Sequence, residues 1–520
     1  MHLARKALGR LDSWFDRLYG WRYNPLYQSG TIAVLLLVVL VVSGLYLLLY
    51  YRIGAPYASV ERIQDQVWAG RWIRALHRYA SDAAVIAIAV HAVRMFLRGR
   101  SWGPRALAWL TGVALLALFV FLALTGFVMV WDVQGRLMAV EGARLLDALP
   151  LFSEPMVRAF SGERAMPAAF FFLNYFLHIA LPLGLALFLY LHVSRLARVK
   201  LLPPRRLAWG IVGVLVLLAV VRPAPLPPEA DPSVISHSVP VDWFFAFWIP
   251  VTRALPSGVA WLLAGGLTLA LLTVPLWSRP RDDHRPSPSN LDERRCTGCT
   301  QCSVDCPYEA ITMVSRSDGR AGLVAQVDPG LCVSCGICAG SCAPMSIGPP
   351  DRTGRDQLER VRTFIRDREP GADQVVLVAC SRGAGEVAGM AEFEEALIYP
   401  VDCVGSVHTS VVEFLVRGGA GGVLVAACPE RDCWNREGTK WARQRLFHDR
   451  EAELKERVDR ARVTLVEAAA GERAGLAEEV RSFTAEVRDL DVPRAGDTME
   501  LDLDCERPAP SPAGSRESDR

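Results

Sequence analysis

Six apolar segments fill the first half of this 520-residue chain, at about residues 30–51, 77–97, 107–131, 171–194, 207–221 and 257–277. Each approaches the ~20 residues that a helix needs to cross ~30 Å of hydrocarbon, and the fifth is the shortest. In lipid every backbone polar group must be paired internally, so such segments fold as helices. The expectation is a polytopic α-helical membrane bundle of about six spans. Twelve of the 14 Trp precede residue 280, many near span ends, as interface anchors do.

Six spans put both termini on one side. The loops on that side are rich in Arg and Lys: Arg94, Arg98, Arg100 and Arg105, then Arg195, Arg198, Lys200, Arg205 and Arg206, then Arg279, Arg281 and Arg285. The positive-inside rule therefore predicts cytoplasmic termini in an inner (cytoplasmic) membrane. The first 30 residues are charged and aromatic, so no cleavable signal peptide is expected. A net charge of +2 argues against a general nucleic-acid binder.

Four histidines stand inside these segments. His77 and His91 lie 14 residues apart on the second, and His178 and His192 lie 14 apart on the fourth. Fourteen residues is nearly four helical turns, so each pair shares one face and is separated by ~21 Å along the axis. Intramembrane ionisable groups are costly and mark functional sites. Two facing helices with this spacing can hold two bis-His hemes, one near each membrane surface. Gly30 and Gly44 on the first span, and Gly112 and Gly126 on the third, repeat the same interval. Glycine lets a flat macrocycle approach the backbone; the competing explanation is small-residue helix packing.

On these features, and on the stretches "WIRALHRY", "HAVRMFLRG", "WLTGVALLALFVFLALTGF" and "FLHIALPL", residues 10–200 resemble the cytochrome b subunit of quinol:cytochrome c oxidoreductases and its photosynthetic relative. The resemblance implies that His77 and His178 bind an outer heme b, and His91 and His192 an inner one. It implies that Arg74 and Arg94 neutralise heme propionates. The segment "SVPVDWFFAFWIPVTRALP" resembles the family's Pro-Glu-Trp-Tyr element, which lines the outer quinol-oxidation pocket. Asp242, Trp243 and Phe244 stand where Glu, Trp and Tyr normally do, and Val130 replaces a Pro of the opposite wall. Asp242 is the candidate proton acceptor, because quinol oxidation sheds protons. The alternative is a vestigial interfacial loop held by its aromatics.

Cys296 is the first of 13 Cys, and none precedes it. Cys296, Cys299, Cys302 and Cys306 form a C-x-x-C-x-x-C-x-x-x-C run before Pro307; Cys332, Cys335, Cys338 and Cys342 repeat it. In such runs three close thiolates hold one [4Fe-4S] cluster and the fourth reaches the other. Cluster one is assigned Cys296, Cys299, Cys302 and Cys342, and cluster two Cys332, Cys335, Cys338 and Cys306. The stretch resembles bacterial dicluster ferredoxins, and thiol usage of this kind points to a reducing compartment.

Residues 371–492 alternate apolar strand-length runs with helix patterns, predicting an α/β domain. Cys380, Cys403, Cys428 and Cys433 fall there. They suit one [2Fe-2S] cluster, with buried free Cys or a zinc site as alternatives. "VDCVGSVHTSVVEFLVRGGAGGVLVAACPERDCWNREG" and "ARVTLVEAAAGE" resemble the delta subunit of methyl-viologen-reducing hydrogenase. That resemblance implies a cytoplasmic partner like heterodisulfide reductase, a flavin-based bifurcating enzyme or a hydrogenase.

The expected organisation is a membrane domain (1–285), a ferredoxin domain (286–350), a linker (351–370), the α/β iron–sulfur domain (371–492), and a disordered tail (493–520) with a free Cys505. The expected function is a quinone-linked oxidoreductase subunit relaying electrons between the quinone pool and the cytoplasmic partner. The alternative is a membrane anchor and electron conduit without its own quinone site.

Overall fold

The computed structural model describes residues 2–149, 154–160, 166–194, 201–231, 239, 242–279, 287–384, 396–448, 450–469 and 472–490. Cys505, the expected tail, and Arg195, Arg198, Lys200, Arg281 and Arg285 lie outside the described residues. The chain divides into two compact units, Met1–Arg285 and Pro286–Arg520.

In the first unit the helices are α1 (His2–Tyr19), α2 (Ser29–Leu48), α3 (Pro56–Asp65), α4 (Gly70–Leu97), α5 (Ala106–Val130), α6 (Val133–Leu146), α7 (Ala168–Ser194), α8 (Arg205–Val221), α9 (Trp248–Ala254) and α10 (Ser257–Trp277). Among the described residues, α2, α4, α5, α7 and α10 are long and apolar enough to cross a bilayer. Helix α8 has 17 residues and reaches only about 26 Å at 1.5 Å per residue. The expected six spans therefore become five and a shorter helix, and cytoplasmic placement of both termini depends on α8 crossing too. Helix α2 packs along α4, and α5 along α7. Ala80, Ala84 and Ala87 form a buried small-residue column on α4, among Leu36, Phe119 and Phe245. Small side chains bring backbones together where lipid supplies no hydrophobic drive between helices.

The second unit opens with two short antiparallel pairs. Strand β1 (Asn290–Leu291) pairs with β4 (Ile347–Gly348), and β2 (Ile311–Ser315) with β3 (Leu323–Val327). Residues 351–370, expected as a linker, instead hold α-helix Gly354–Arg368. Thr353 and Asp356 form a capping box, and Val361 and Ile365 are buried. The apolar positions are sparse in a run of charges, so sequence reading took the segment for solvated chain.

A four-stranded parallel sheet follows, in the order β6 (Ala396–Val401), β5 (Val375–Cys380), β7 (Gly422–Ala427), β8 (Val463–Glu467). Strands β5 and β7 are buried throughout, as parallel strands covered by helices must be. Helix Arg473–Arg488 packs Leu476, Val480, Phe483 and Val487 against them.

Candidate redox centres

The four intramembrane histidines meet across the bundle as two pairs. The rings of His77 and His178 have centroids 6.5 Å apart, and those of His91 and His192 6.3 Å. Two imidazoles that each reach one metal through a bond of about 2 Å would have centroids roughly 6 Å apart. Three of the rings are oriented through Nδ1. His178 Nδ1 lies 3.0 Å from the Leu122 carbonyl and 3.0 Å from Thr125 Oγ1. Nδ1 of His77 is 2.9 Å from Ser43 Oγ, and that of His192 is 3.2 Å from Thr111 Oγ1. Backbone carbonyls of Leu40 and Ala108 hydrogen-bond His77 and His192. Committing Nδ1–H to a carbonyl leaves Nε2 with its lone pair for a metal. The residues fit bis-histidine heme ligation.

The glycines have a role that spacing alone did not reveal. A Cβ at Gly44 would lie 3.3 Å from His77, at Gly30 2.9 Å from His91, at Gly112 3.3 Å from His192 and at Gly126 3.0 Å from His178. Sequence reading had these glycines admit a macrocycle; each one admits an imidazole edge. At Gly44, Gly112 and Gly126 the ring can then reach the carbonyl four residues before the glycine. The missed signal is that each glycine follows a hydroxyl residue, as Ser29, Ser43, Thr111 and Thr125, and all four are buried.

In the second unit a cavity is lined by Cys296, Cys299, Cys302 and Cys342, with Leu291, Met313 and Pro344. These are the four cysteines grouped as cluster one. Cys335 and Cys338 are close enough to Cys332 and Cys306 for their charges to interact, which gathers the other four. The two loops share a backbone device. Gly298 and Thr300 in the first, and Ser334 and Gly336 in the second, have φ of 75°, 67°, 56° and 76° at matched positions. Alternating left-handed residues turn successive N–H groups inward, the arrangement that favours anions. Thr300 and Ser334 hold it at a cost of about 1 kcal/mol each. N–H groups of Ser346, Ser289 and Ala310 donate to the sulfurs of Cys342, Cys332 and Cys306 at 3.3, 3.4 and 3.4 Å. Burial pushes the Cys302 and Cys338 thiols up to about 12. These sulfurs become thiolates only beside positive charge, which cluster iron supplies.

Four further cysteines converge at the carboxyl edge of the parallel sheet. Cys380 ends β5, Cys403 follows β6, and Cys428 and Cys433 follow β7. All are buried. Strands β6 and β7 flank β5, so the chain reverses direction across the sheet here, where open parallel sheets present a crevice. Cys380 Sγ is 3.4 Å from Cys428 Sγ. A Cβ at Gly438 would lie 2.6 Å from Cys403 Sγ and 3.2 Å from Cys433 Sγ. The hydrogen bond from Cys403 holds the Cys433 thiol down to about 6 and pushes Cys403 up. Four buried sulfurs in two close pairs suit a small multi-iron cluster. Among the described residues no His, Cys, Asp or Glu group is arranged to hold a single metal ion.

Three family models match the chain in order: cytochrome b/b6 at residues 17–224, the 4Fe-4S dicluster domain at 295–344, and the methyl-viologen-reducing hydrogenase delta subunit at 375–491. Residues 17–224 thus match the cytochrome b/b6 family model. A solved structure described as a hyperthermophilic respiratory Complex III is similar at 16% identity and a TM-score of 0.39, over 48% of this chain and 75% of that one. With cytochrome b, dicluster and delta subunit-like domains joined, the protein is a membrane electron-transfer component. Its families imply heme b and [4Fe-4S] clusters.

Around the cytochrome b domain the expected quinone and propionate residues are placed unevenly. Asp242 lies beyond the matched segment, and its side chain is only 10% exposed. It pairs with Arg78 and caps its own turn, accepting from the N–H of Phe244 at 3.0 Å and of Phe245 at 2.8 Å. Trp243 and Phe244 are exposed, whereas Phe245 is buried and packs on Phe119 and Phe127. Asp132, two residues after Val130, caps α6 by accepting from Gly135 N–H at 2.8 Å. Arg78 also binds Asp82 at 2.6 Å. Sequence reading missed Arg78 and Asp82; two ionisable residues one turn apart inside a span were the signal. Of the propionate candidates, Arg94 is buried against Asp12 of α1, and Arg74 donates to Gln64 and the Ala224 carbonyl.

Proposed function

We propose that the chain relays electrons between the quinone pool and a soluble, cytoplasmic redox partner of the heterodisulfide reductase, flavin-based bifurcating or hydrogenase type. Two b hemes, two [4Fe-4S] clusters and one [2Fe-2S] cluster would be held by the histidine and cysteine sets above. Bound, they supply the one-electron chemistry that side chains lack. The protein's part is orientation: carbonyls fix the histidine tautomers, and N–H groups and buried arginines surround the cysteines.

The observation that carries this reading is the double histidine pairing, 6.5 and 6.3 Å between ring centroids in two layers of one bundle. It is supported by ferredoxin and delta subunit-like domains in the same chain. We assign both iron–sulfur domains to the cytoplasm on the positive loops and on thiol usage. Reaction with quinol would take place beside Asp242, with protons leaving through the carboxylates that Arg78 binds.

One observation favours the conduit reading. Asp242 accepts two backbone N–H groups and the Arg78 guanidinium, so its oxygens are engaged before any quinol arrives. Spectroscopic redox titration of purified protein tests the cofactor count: two b-type heme transitions are expected, and a single transition of one heme equivalent overturns the relay. Quinol-dependent heme reduction in the wild type then decides between oxidoreductase and conduit.

A further inference from the structure

Arg445, on helix Gly438–Phe447, is fully buried between the ferredoxin fold and the α/β sheet. Its Nη1 donates to Ser341 Oγ at 3.0 Å, and its Nη2 to the Gly405 carbonyl at 2.6 Å. Ser341 is on the short helix Ile337–Ser341, which carries Cys338. Gly405 lies two residues after Cys403. The backbone closes around the guanidinium: a Cβ at Gly340 would lie 2.7 Å from Nη2. One side chain thus ties a ligand helix of cluster two to a ligand loop of the Cys380, Cys403, Cys428 and Cys433 centre.

Among the described residues the ion pairs around Arg445 hold more positive than negative charge. Asp305 is the carboxylate beside Arg445, at 3.9 Å, and it also pairs with Arg450. Two guanidiniums share this carboxylate, and of the two Arg445 is the one in the dry interior, where an uncompensated charge is costly. Arg445 Nε has no hydrogen-bond partner among the described residues. Burial pushes the guanidinium down to about 10, so it stays cationic near pH 7. The sulfurs of Cys403 and Cys338 both lie within its electrostatic reach. Thiolate clusters held by the Cys338 and Cys403 sets would supply negative charge on either side of it.

We infer that Arg445 is a shared electrostatic tuning residue, whose buried charge raises the reduction potentials of cluster two and of the four-cysteine centre together and keeps them matched for electron exchange. The inference rests on the proposed ligand sets. In each exchange one centre loses one electron and the other gains it, with no proton moved, because Arg445 stays charged. A fixed positive charge favours the reduced, more negative state of both.

The test is EPR-monitored redox titration of the full detergent-solubilised chain. R445Q is expected to lower the reduced-to-oxidised ratio of both centres at fixed potential about tenfold, equivalent to about 59 mV for one electron. Cluster one, held by the Cys296 set, moves less. R445K, which keeps the charge, stays near wild type. Asp305→Asn removes the counter-charge and shifts both centres the opposite way, which provides an answer if R445Q does not load iron. Equal shifts in R445Q and R445K, or movement of only one centre, overturn the inference. So do unmoved midpoints in the loaded variants. A wild type without a [2Fe-2S] signal overturns the ligand reading instead, and does so before any variant is compared.

Discussion

Gly30 stands so close to His91 that a Cβ there would lie 2.9 Å from both Cε1 and Nδ1 of the imidazole. Ordinary carbon contacts begin near 3.5 Å, so one methyl group must push the His91 ring aside. Gly30→Ala is expected to cost about 1–3 kcal/mol of overpacking and to strip the heme assigned to His91 and His192. Pyridine hemochrome analysis should fall from two hemes per chain towards one. Gly44→Ala, at 3.3 Å from His77, needs a smaller adjustment and should retain both hemes.

The ring pairing predicts which single substitutions are equivalent. His91→Ala and His192→Ala should abolish the same b-type transition, and His77→Ala and His178→Ala the other. Visible spectra during a redox titration separate the two. Loss of both hemes in every variant, or retention of both in His91→Ala, would falsify the pairing.

Cysteine substitutions should sort crosswise rather than by run. Cys342→Ala is expected to remove the same [4Fe-4S] signal as Cys296→Ala, and Cys306→Ala the same signal as Cys332→Ala, with about four iron atoms lost each time. EPR and iron content measure this. A Cys342→Ala protein that loses the Cys332-linked cluster would contradict the grouping around the cavity. Cys380, Cys403, Cys428 and Cys433 should respond as one centre, with Cys380→Ala and Cys433→Ala erasing a single further signal.

Asp242→Asn separates the two functional readings. If the carboxylate accepts a quinol proton, heme reduction by a quinol analogue should slow by about 10²-fold while dithionite-reduced spectra stay unchanged. Arg78→Gln frees Asp242 and should change the pH dependence of that rate. Equal quinol-dependent rates in wild type and Asp242→Asn leave the conduit reading standing.

Much of the site was legible because ligation imposes strict spacing. A 14-residue interval on a helix, and three thiols at every third position before a fourth, leave few other arrangements. The hydroxyl residue before each glycine was visible too, but its meaning needs the facing helix. Residues 351–370 read as a linker because a helix with only a few buried positions looks like solvated chain. Arg78 and Asp82 were passed over because a charge pair one turn apart reads as local until a third partner, Asp242, arrives from 164 residues away.

Sequence alone determined the three-part order, the ligand types and the two histidine intervals, because periodicity and motif spacing are properties of neighbouring residues. Tertiary structure decided the rest: that each glycine meets a histidine on the adjacent helix, that Asp242 is already paired, and that Arg445 binds two cysteine-bearing segments at once. Each depends on segments distant in the chain meeting within a few ångströms. Close packing and the cost of burying unpaired charge select those meetings, and no local pattern records them.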